Sequence, residues 1–225
     1  MQAGEAMITA AVFDMDGLMF DTERLVYENW QSMMDERGYD YDLDFFKTTV
    51  GKRKNEVQRL YFDPFGDDFP YWELADLGKA RYIERIKAEG IPVKKGLIEL
   101  LTFLKERDIK IALATSTSRQ TAQLNLEISD TARFFDSLVC GNDVKNGKPH
   151  PEVFLTAAER LGAKSADCLA YEDSINGIIS AYSAGMVTVM VPDYIAPTAE
   201  IMPMISYLCD DLSQSIDKIK PLLEV

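Results

Sequence analysis

The chain has 225 residues, 47% of them hydrophobic and 27% charged, with a formal net charge of −13. That length allows one large domain or two smaller ones, and the composition is ordinary for a globular protein. The acidic balance argues against nucleic acid and anionic membrane as partners, and no apolar run approaches the ~20 residues that span a bilayer.

Met1-Gln2-Ala3-Gly4-Glu5 carries no basic region, and no signal-peptide core follows it, so a cytoplasmic protein is expected. Next comes the apolar run Ile8–Phe13, which reads as a buried parallel strand. Asp14-Met15-Asp16-Gly17 follows where that strand should end. Ligands of open α/β sheets bind outside the carboxyl ends of strands, so this acidic pair stands where chemistry usually sits. Buried like charges need a positive partner, and a hard divalent cation with oxygen ligands is the natural one.

From about Glu23 to Ile91 the pattern is helix after helix. Val26, Trp30, Met33 and Met34 make an apolar stripe that stops near Gly38, and a second long helix is predicted from about Tyr71 to Glu89. One crossover helix needs far fewer residues than this gap between strands. An all-helical module inserted after the first strand is therefore expected, with hinges near Asp21-Thr22 and Gly90-Ile91-Pro92. Residues 1–21 and 92–225 would form the core domain, and 22–91 the inserted domain.

Further strands are predicted at Ile111–Ala114, Leu138–Cys140, Cys168–Tyr171 and Val187–Val191, with helical patterns between the later runs. This alternation predicts βαβ units and a doubly wound, Rossmann-like parallel sheet. One helix is predicted to begin with Pro151 at its first position, and another to end at Gly185. Cys140, Cys168 and Cys209 are odd in number, far apart and without CxxC spacing. Reduced thiols are expected, buried at Cys140 and Cys168 in their apolar runs, in place of a zinc or redox motif.

Chemistry-bearing residues follow the strands. A carboxylate is already ionised near neutral pH, so Asp14 needs no general base to attack phosphorus and form an aspartyl-phosphate. Asp16 would protonate the leaving oxygen and then activate water. Thr115-Ser116-Thr117-Ser118 offers hydroxyls and N–H groups for a phosphate, and also suits plain helix capping. Lys148, in Gly147-Lys148-Pro149-His150-Pro151, suits charge neutralisation at a phosphoryl group, although most single lysines are simply solvated. Glu172 and Asp173 would complete an oxygen-rich Mg²⁺ site, or alternatively complement a helix dipole. His150 is the single histidine, and no G-x-S-x-G elbow exists for a serine triad.

These four segments resemble, in order and spacing, the four motifs of the haloacid dehalogenase superfamily of phosphohydrolases. Asp21-Thr22-Glu23, Gly147-Lys148-Pro149 with Pro151, and Asp173-Ser174 with Gly177 and Ala184-Gly185 are similar to the branch of β-phosphoglucomutase and phosphoglycolate phosphatase. That branch carries a helical cap, which the inserted module would supply. The resemblance implies Asp14 as nucleophile and metal ligand, and Asp16 as acid/base with its main-chain carbonyl on Mg²⁺. It implies Asp173 as a further ligand and Glu172 as a direct or water-mediated one. Ser116, the Thr117 backbone and Lys148 would hold the phosphoryl group. The second aspartate tells against a true dehalogenase, which lacks it.

β-Phosphoglucomutases carry a cap histidine four positions after the threonine that matches Thr22, and this chain has Val26 there. The departure favours hydrolysis over mutase chemistry. Gly51-Lys52-Arg53-Lys54 resembles a substrate-contacting cap loop, with Lys54 at the basic position. Lys79 shares a helical face with Ala75, Tyr82 and Ile86, either snorkelling or facing a cleft, and Trp30 and Trp72 are read as cap core. The expected function is Mg²⁺-dependent hydrolysis of a small organic phosphate monoester, such as a sugar phosphate. A phosphomutase is the first alternative, and an idle binding protein on the same scaffold the second.

Overall fold

The computed structural model describes residues 8–52 and 54–223, leaving the side chain of Lys54 outside the description. By internal contacts it divides into two compact units. One comprises the segments up to Phe20 and from Pro92, the other Asp21–Ile91.

The first unit is built on β1 (Ala10–Phe13), β2 (Lys110–Ala114), β3 (Ser137–Val139), β4 (Cys168–Glu172), β5 (Val187–Met190) and β6 (Tyr207–Leu208). They form one parallel sheet in the order β3-β2-β1-β4-β5-β6. β1 is central and buried along its length, which explains its unbroken apolar sequence. On one face Val12, Ala112, Ala114 and Ala170 pack with Val153, Phe154, Ala157 and Leu161 of α7 (Glu152–Leu161). Alanines on the strands let that helix approach closely. On the other face Phe13 stacks on Tyr171 with ring centroids 4.5 Å apart. α5 (Leu97–Lys105) packs on β2 and on α9 (Leu212–Leu223), while α6 (Arg119–Ile128) and α8 (Ile175–Ser183) complete the crossovers. The three cysteines are free and buried.

The five predicted strands lie within a residue or two of the observed ones, as expected where apolar runs mark burial. β6 is an addition. It has two residues on the sheet edge, too few to show any periodicity. α7 begins at Glu152 and not at Pro151, which takes the capping position. Pro151 nevertheless has φ −73°, and its carbonyl accepts the N–H of Leu155 at 3.0 Å. α8 is capped by Ser174, whose hydroxyl accepts the Gly177 N–H at 3.1 Å. It ends at Ser183, two residues before Gly185, which has φ +77°.

The second unit consists of α1 (Thr22–Asp35), α2 (Leu43–Thr49), α3 (Lys54–Phe65) and α4 (Tyr71–Glu89). Its centre is aromatic. Trp30 lies 4.9 Å from Tyr61 and 5.8 Å from Tyr71 between ring centroids, and the Tyr61 hydroxyl donates to that of Tyr41 at 3.1 Å. Trp30, Met33 and Met34 are buried as the stripe predicts, whereas Val26 is only partly covered and Leu25 takes the buried place. Trp72 is not core. The buried stripe of α4 runs Tyr71, Leu74, Gly78, Tyr82 and Ile86, which turns Trp72 outward at 44% exposure. The same register takes Lys79 off the face it was expected to share with Tyr82 and Ile86: the buried stripe passes through Gly78, and Lys79 is exposed beside it, not snorkelling from the core. No helix among the described residues is long and apolar enough to cross a membrane.

Gly96 is a tight joint between α5 and α9 in the first unit. It precedes α5 with φ +84°, and an added Cβ would lie 2.1 Å from the Ser213 nitrogen of α9. Both left-handed strain and a backbone clash oppose any side chain there. Gly96→Ala should therefore cost about 2–4 kcal/mol, read as a lower urea midpoint at unchanged slope.

Candidate active site

The acidic, hydroxyl and lysine residues of the site all belong to the sheet-containing unit. β1 and β4 are adjacent and parallel, with Phe13 opposite Tyr171. The connection after β1 leads to β2 on one side, and later strands add beyond β4 on the other. Strand order thus reverses between β1 and β4, which opens a crevice at their carboxyl ends. Asp14 stands there directly after β1, its N–H donating to the Tyr171 carbonyl at 3.0 Å, and Glu172 is the last residue of β4.

Asp14, Glu172 and Asp173 are buried, and each offers a carboxylate oxygen within 4.8 Å of the others'. The ammonium of Lys148 donates to one oxygen of Asp14 and to Oε1 of Glu172. It lies 5.1 Å from the centroid of the Phe154 ring. Glu172 Oε2 accepts three bonds at 3.0 Å, from the Asp173 N–H, the Ser174 N–H and the Ser174 hydroxyl. Two glycines make room for this cluster. A Cβ at Gly177 would fall 1.8 Å from Glu172 Cδ, and one at Gly17, where φ is +81°, would fall 2.3 Å from Asp173 Oδ2.

Three carboxylates around one ammonium leave an excess of two negative charges. Burial raises the Asp14 carboxyl above the usual range against the opposing pull of Lys148, and Glu172 and Asp16 raise it further. Burial also disfavours the Lys148 ammonium, but the charges of Asp14 and Glu172 outweigh it and hold its pKa up. An all-oxygen donor set with this charge excess fits a hard divalent cation.

Asp16 is half-buried, and its Oδ2 accepts the Thr117 hydroxyl at 2.6 Å. The Thr117 N–H donates to Thr115 Oγ1 at 3.0 Å, so that amide is occupied by its own turn. Ser116 is exposed at the end of β2, against Gly141 of the loop after β3. The structure thus gathers Asp14, Asp16, Thr117, Lys148, Glu172 and Asp173, with Ser116 beside them in sequence. Gly51, with φ +72°, and Lys52 are exposed in the α2–α3 connection of the helical unit. Arg53 and the Lys54 side chain lie outside the described residues.

One pair escaped sequence reasoning. Lys94 Nζ donates to Asp193 Oδ1 at 2.7 Å, and Asp193 Oδ2 would be 3.3 Å from a Cβ on Gly17. An acidic residue just past a further predicted strand was the available signal for Asp193. Nothing local marks Lys94 as its partner 99 residues away.

A family model described as haloacid dehalogenase-like hydrolase matches residues 11–191. The phosphorylated carbohydrates phosphatase of Thermotoga maritima is 34% identical over 179 residues, covering 79% of this chain and 82% of that protein. Hexitol phosphatase B of Escherichia coli (strain K12) is 32% identical over 199 residues, covering 87% of each. The solved structure of β-phosphoglucomutase from Clostridium difficile superposes with a TM-score of 0.77 at 27% identity, covering 96% of this chain and 97% of that one. The chain belongs to the haloacid dehalogenase-like hydrolase family. Within it the protein is an enzyme of the phosphoric monoester hydrolase type.

The raised Asp14 carboxyl has a thermodynamic signature in the metal-free protein. As pH rises past ~4 the unfolded chain gives up this proton first, so it binds fewer protons than the folded state. Stability should therefore fall with rising pH until the folded-state carboxyl has also ionised. Urea midpoints in chelator from pH ~4.5 to ~7.5 should decline more steeply for the wild type than for Asp14→Asn. Equal slopes would contradict the burial cost assigned to Asp14.

Proposed function

We propose that the enzyme hydrolyses a small phosphorylated carbohydrate or similar metabolite monoester, using Mg²⁺ and an aspartyl-phosphate on Asp14. The observation that carries this reading is the buried contact of Lys148 with Asp14 and Glu172 at the β1/β4 crevice. Lys148 holds one Asp14 oxygen and leaves the other to attack phosphorus. As the P–O bond forms, the bond to the leaving oxygen breaks, and Asp16 gives that oxygen its proton. Asp16 then takes a proton from water, whose oxygen attacks the phosphoryl group and frees Asp14 with release of phosphate. The Thr117 hydroxyl orients Asp16 for both proton transfers, and Ser116 with Lys148 holds the phosphoryl oxygens. With its N–H bound to Thr115, Thr117 serves chiefly through its side chain.

Asp14, Asp173 and the Asp16 main-chain carbonyl would hold Mg²⁺, which when bound offsets the charge of the carboxylates and of the incoming phosphate. Both Glu172 oxygens already have partners, which favours its acting through water. Residues 22–91 are read as the specificity cap, with Gly51, Lys52, Lys54 and Lys79 as candidate substrate contacts. Relatives named for phosphorylated carbohydrates and for hexitol support a sugar-like leaving group.

Asp14→Asn nearly conserves shape but removes the attacking charge. Its turnover should fall by at least ~10³-fold, equivalent to about 4 kcal/mol of transition-state stabilisation. A variant with a tenth of wild-type turnover would remove Asp14 from the nucleophile's role. Chelator should abolish wild-type activity and Mg²⁺ restore it, with Ca²⁺ a poor substitute because it prefers more ligands and looser geometry.

The β-phosphoglucomutase neighbour makes a phosphomutase the second reading. A mutase must keep water from the acyl phosphate while its intermediate turns over. Val26, which stands where those mutases carry a histidine, can neither donate nor accept a hydrogen bond through its side chain. With β-glucose 1-phosphate and a trace of the 1,6-bisphosphate, inorganic phosphate should be the main product. Rapid glucose 6-phosphate with little free phosphate would establish the mutase instead.

A further inference from the structure

Glu152 opens α7 four residues after Lys148, and its carboxylate turns back over the loop that carries the lysine. Oε1 accepts the N–H of Lys145 at 2.8 Å. Oε2 accepts the N–H of Asn146 at 3.0 Å and its side-chain amide at 2.8 Å. The start of the loop is thereby tied to the residue just past its end. That end is fastened separately, since the Ser180 hydroxyl of α8 donates to the His150 carbonyl at 2.7 Å and the His150 N–H donates to the Gly147 carbonyl at 3.1 Å. Lys148 leaves the loop between these ties and reaches inward with only 8% of its side chain exposed.

We propose that Glu152 is a positioning residue for the hydrolysis: its grip on Lys145 and Asn146 fixes the loop path that delivers Lys148 to Asp14 and Glu172. The inference rests on Lys148 acting in the proposed reaction. The Lys145 N–H, the Asn146 side chain and the Asn146 N–H together hold the Glu152 carboxyl below the usual range, so it is charged when it makes these bonds. Their number and direction distinguish the role from simple dipole complementation. A first-turn carboxylate that only offset the α7 dipole would act within its own helix. This one spends both oxygens on the backbone and side chain of a segment outside the helix. Lys148 needs that support, because it lies between Gly147 and Pro149 in a segment with no helix or strand to hold it, and a ~1 Å misplacement of a reacting group costs on the order of 10² in rate.

The test is a double-mutant cycle with Glu152→Ala and Lys148→Ala, following Mg²⁺-dependent release of phosphate from p-nitrophenyl phosphate. Glu152→Ala should lower kcat by roughly 10- to 100-fold with KM changed by less than ~3-fold. In the Lys148→Ala background the same substitution should change kcat by less than ~2-fold, because the group it positions is gone. Glu152→Gln keeps the bulk and one acceptor, so it should lose less than Glu152→Ala and also become silent without Lys148. It supplies the comparison if the alanine variant does not fold. Equal losses in both backgrounds would assign Glu152 to general stability of α7 and overturn the proposal. So would near-parental kcat in Glu152→Ala while Lys148→Ala is inactive, and in that case the hydrolase reading would stand. Near-parental kcat in Lys148→Ala would overturn both.

Discussion

The Lys148 ammonium is shared by Asp14 and Glu172 where water is largely excluded, and much of the sheet-containing unit is arranged around that contact. Buried ion pairs are weak contributors to stability, because desolvation of the charges offsets their attraction. Here one ammonium pairs with two carboxylates and a third lies within 4.8 Å of them, so the balance is worse than for a simple pair. Stability alone gives no reason to keep such a cluster. A site that must accept a divalent cation and then a phosphate does, since each arrival changes the charge balance that the protein has prepared.

The fold supplies the backbone groups that make the cluster tolerable. Glu172 is fully buried, yet one of its oxygens accepts two main-chain N–H groups and a hydroxyl at the start of α8, and the other meets Lys148. Ser174 takes part twice, donating to Glu172 and accepting from Gly177. Helix capping and carboxylate fixation are therefore the same local structure. Gly177 completes it by its lack of a side chain, because any Cβ would occupy the space of the Glu172 carboxylate. Asp16 is held differently, by a hydroxyl that arrives from the end of β2, and this more accessible setting suits the acid/base role proposed for it.

Two units of different packing style share the chain. The sheet-containing unit is mostly aliphatic on its α7 face, with alanine-rich strands under that helix. The helical unit is aromatic, with Trp30, Tyr41, Tyr61 and Tyr71 in mutual contact. Large rings fill the space among short helices with few residues, which suits a unit of some seventy residues that must bury its own core.

How much of this was legible depended on whether the cause was local. The strand runs were legible because burial on both faces leaves no room for polar residues, and the chemical segments were legible because each is covalently attached to a strand end. The long helix Tyr71–Glu89 stood in the sequence with its observed bounds. Its rotation did not, since Lys79 and Gly78 differ by one position and only contact with α1 selects which of them faces inward. Trp72 was misplaced for the same reason. Two-residue β6 carries no pattern, and its pairing with β5 exists only in the assembled sheet. At the site, the sequence by itself determined the residue types and their order: two aspartates after β1, hydroxyls after β2, a lysine after β3 and an acidic pair at the end of β4. Tertiary structure alone decided that Lys148 bridges two carboxylates, that Thr117 turns its hydroxyl to Asp16 and its N–H to Thr115, and that Lys94 meets Asp193. Those outcomes depend on distances between segments tens of residues apart, and such distances are set by strand order and helix packing, which no local stretch of sequence contains.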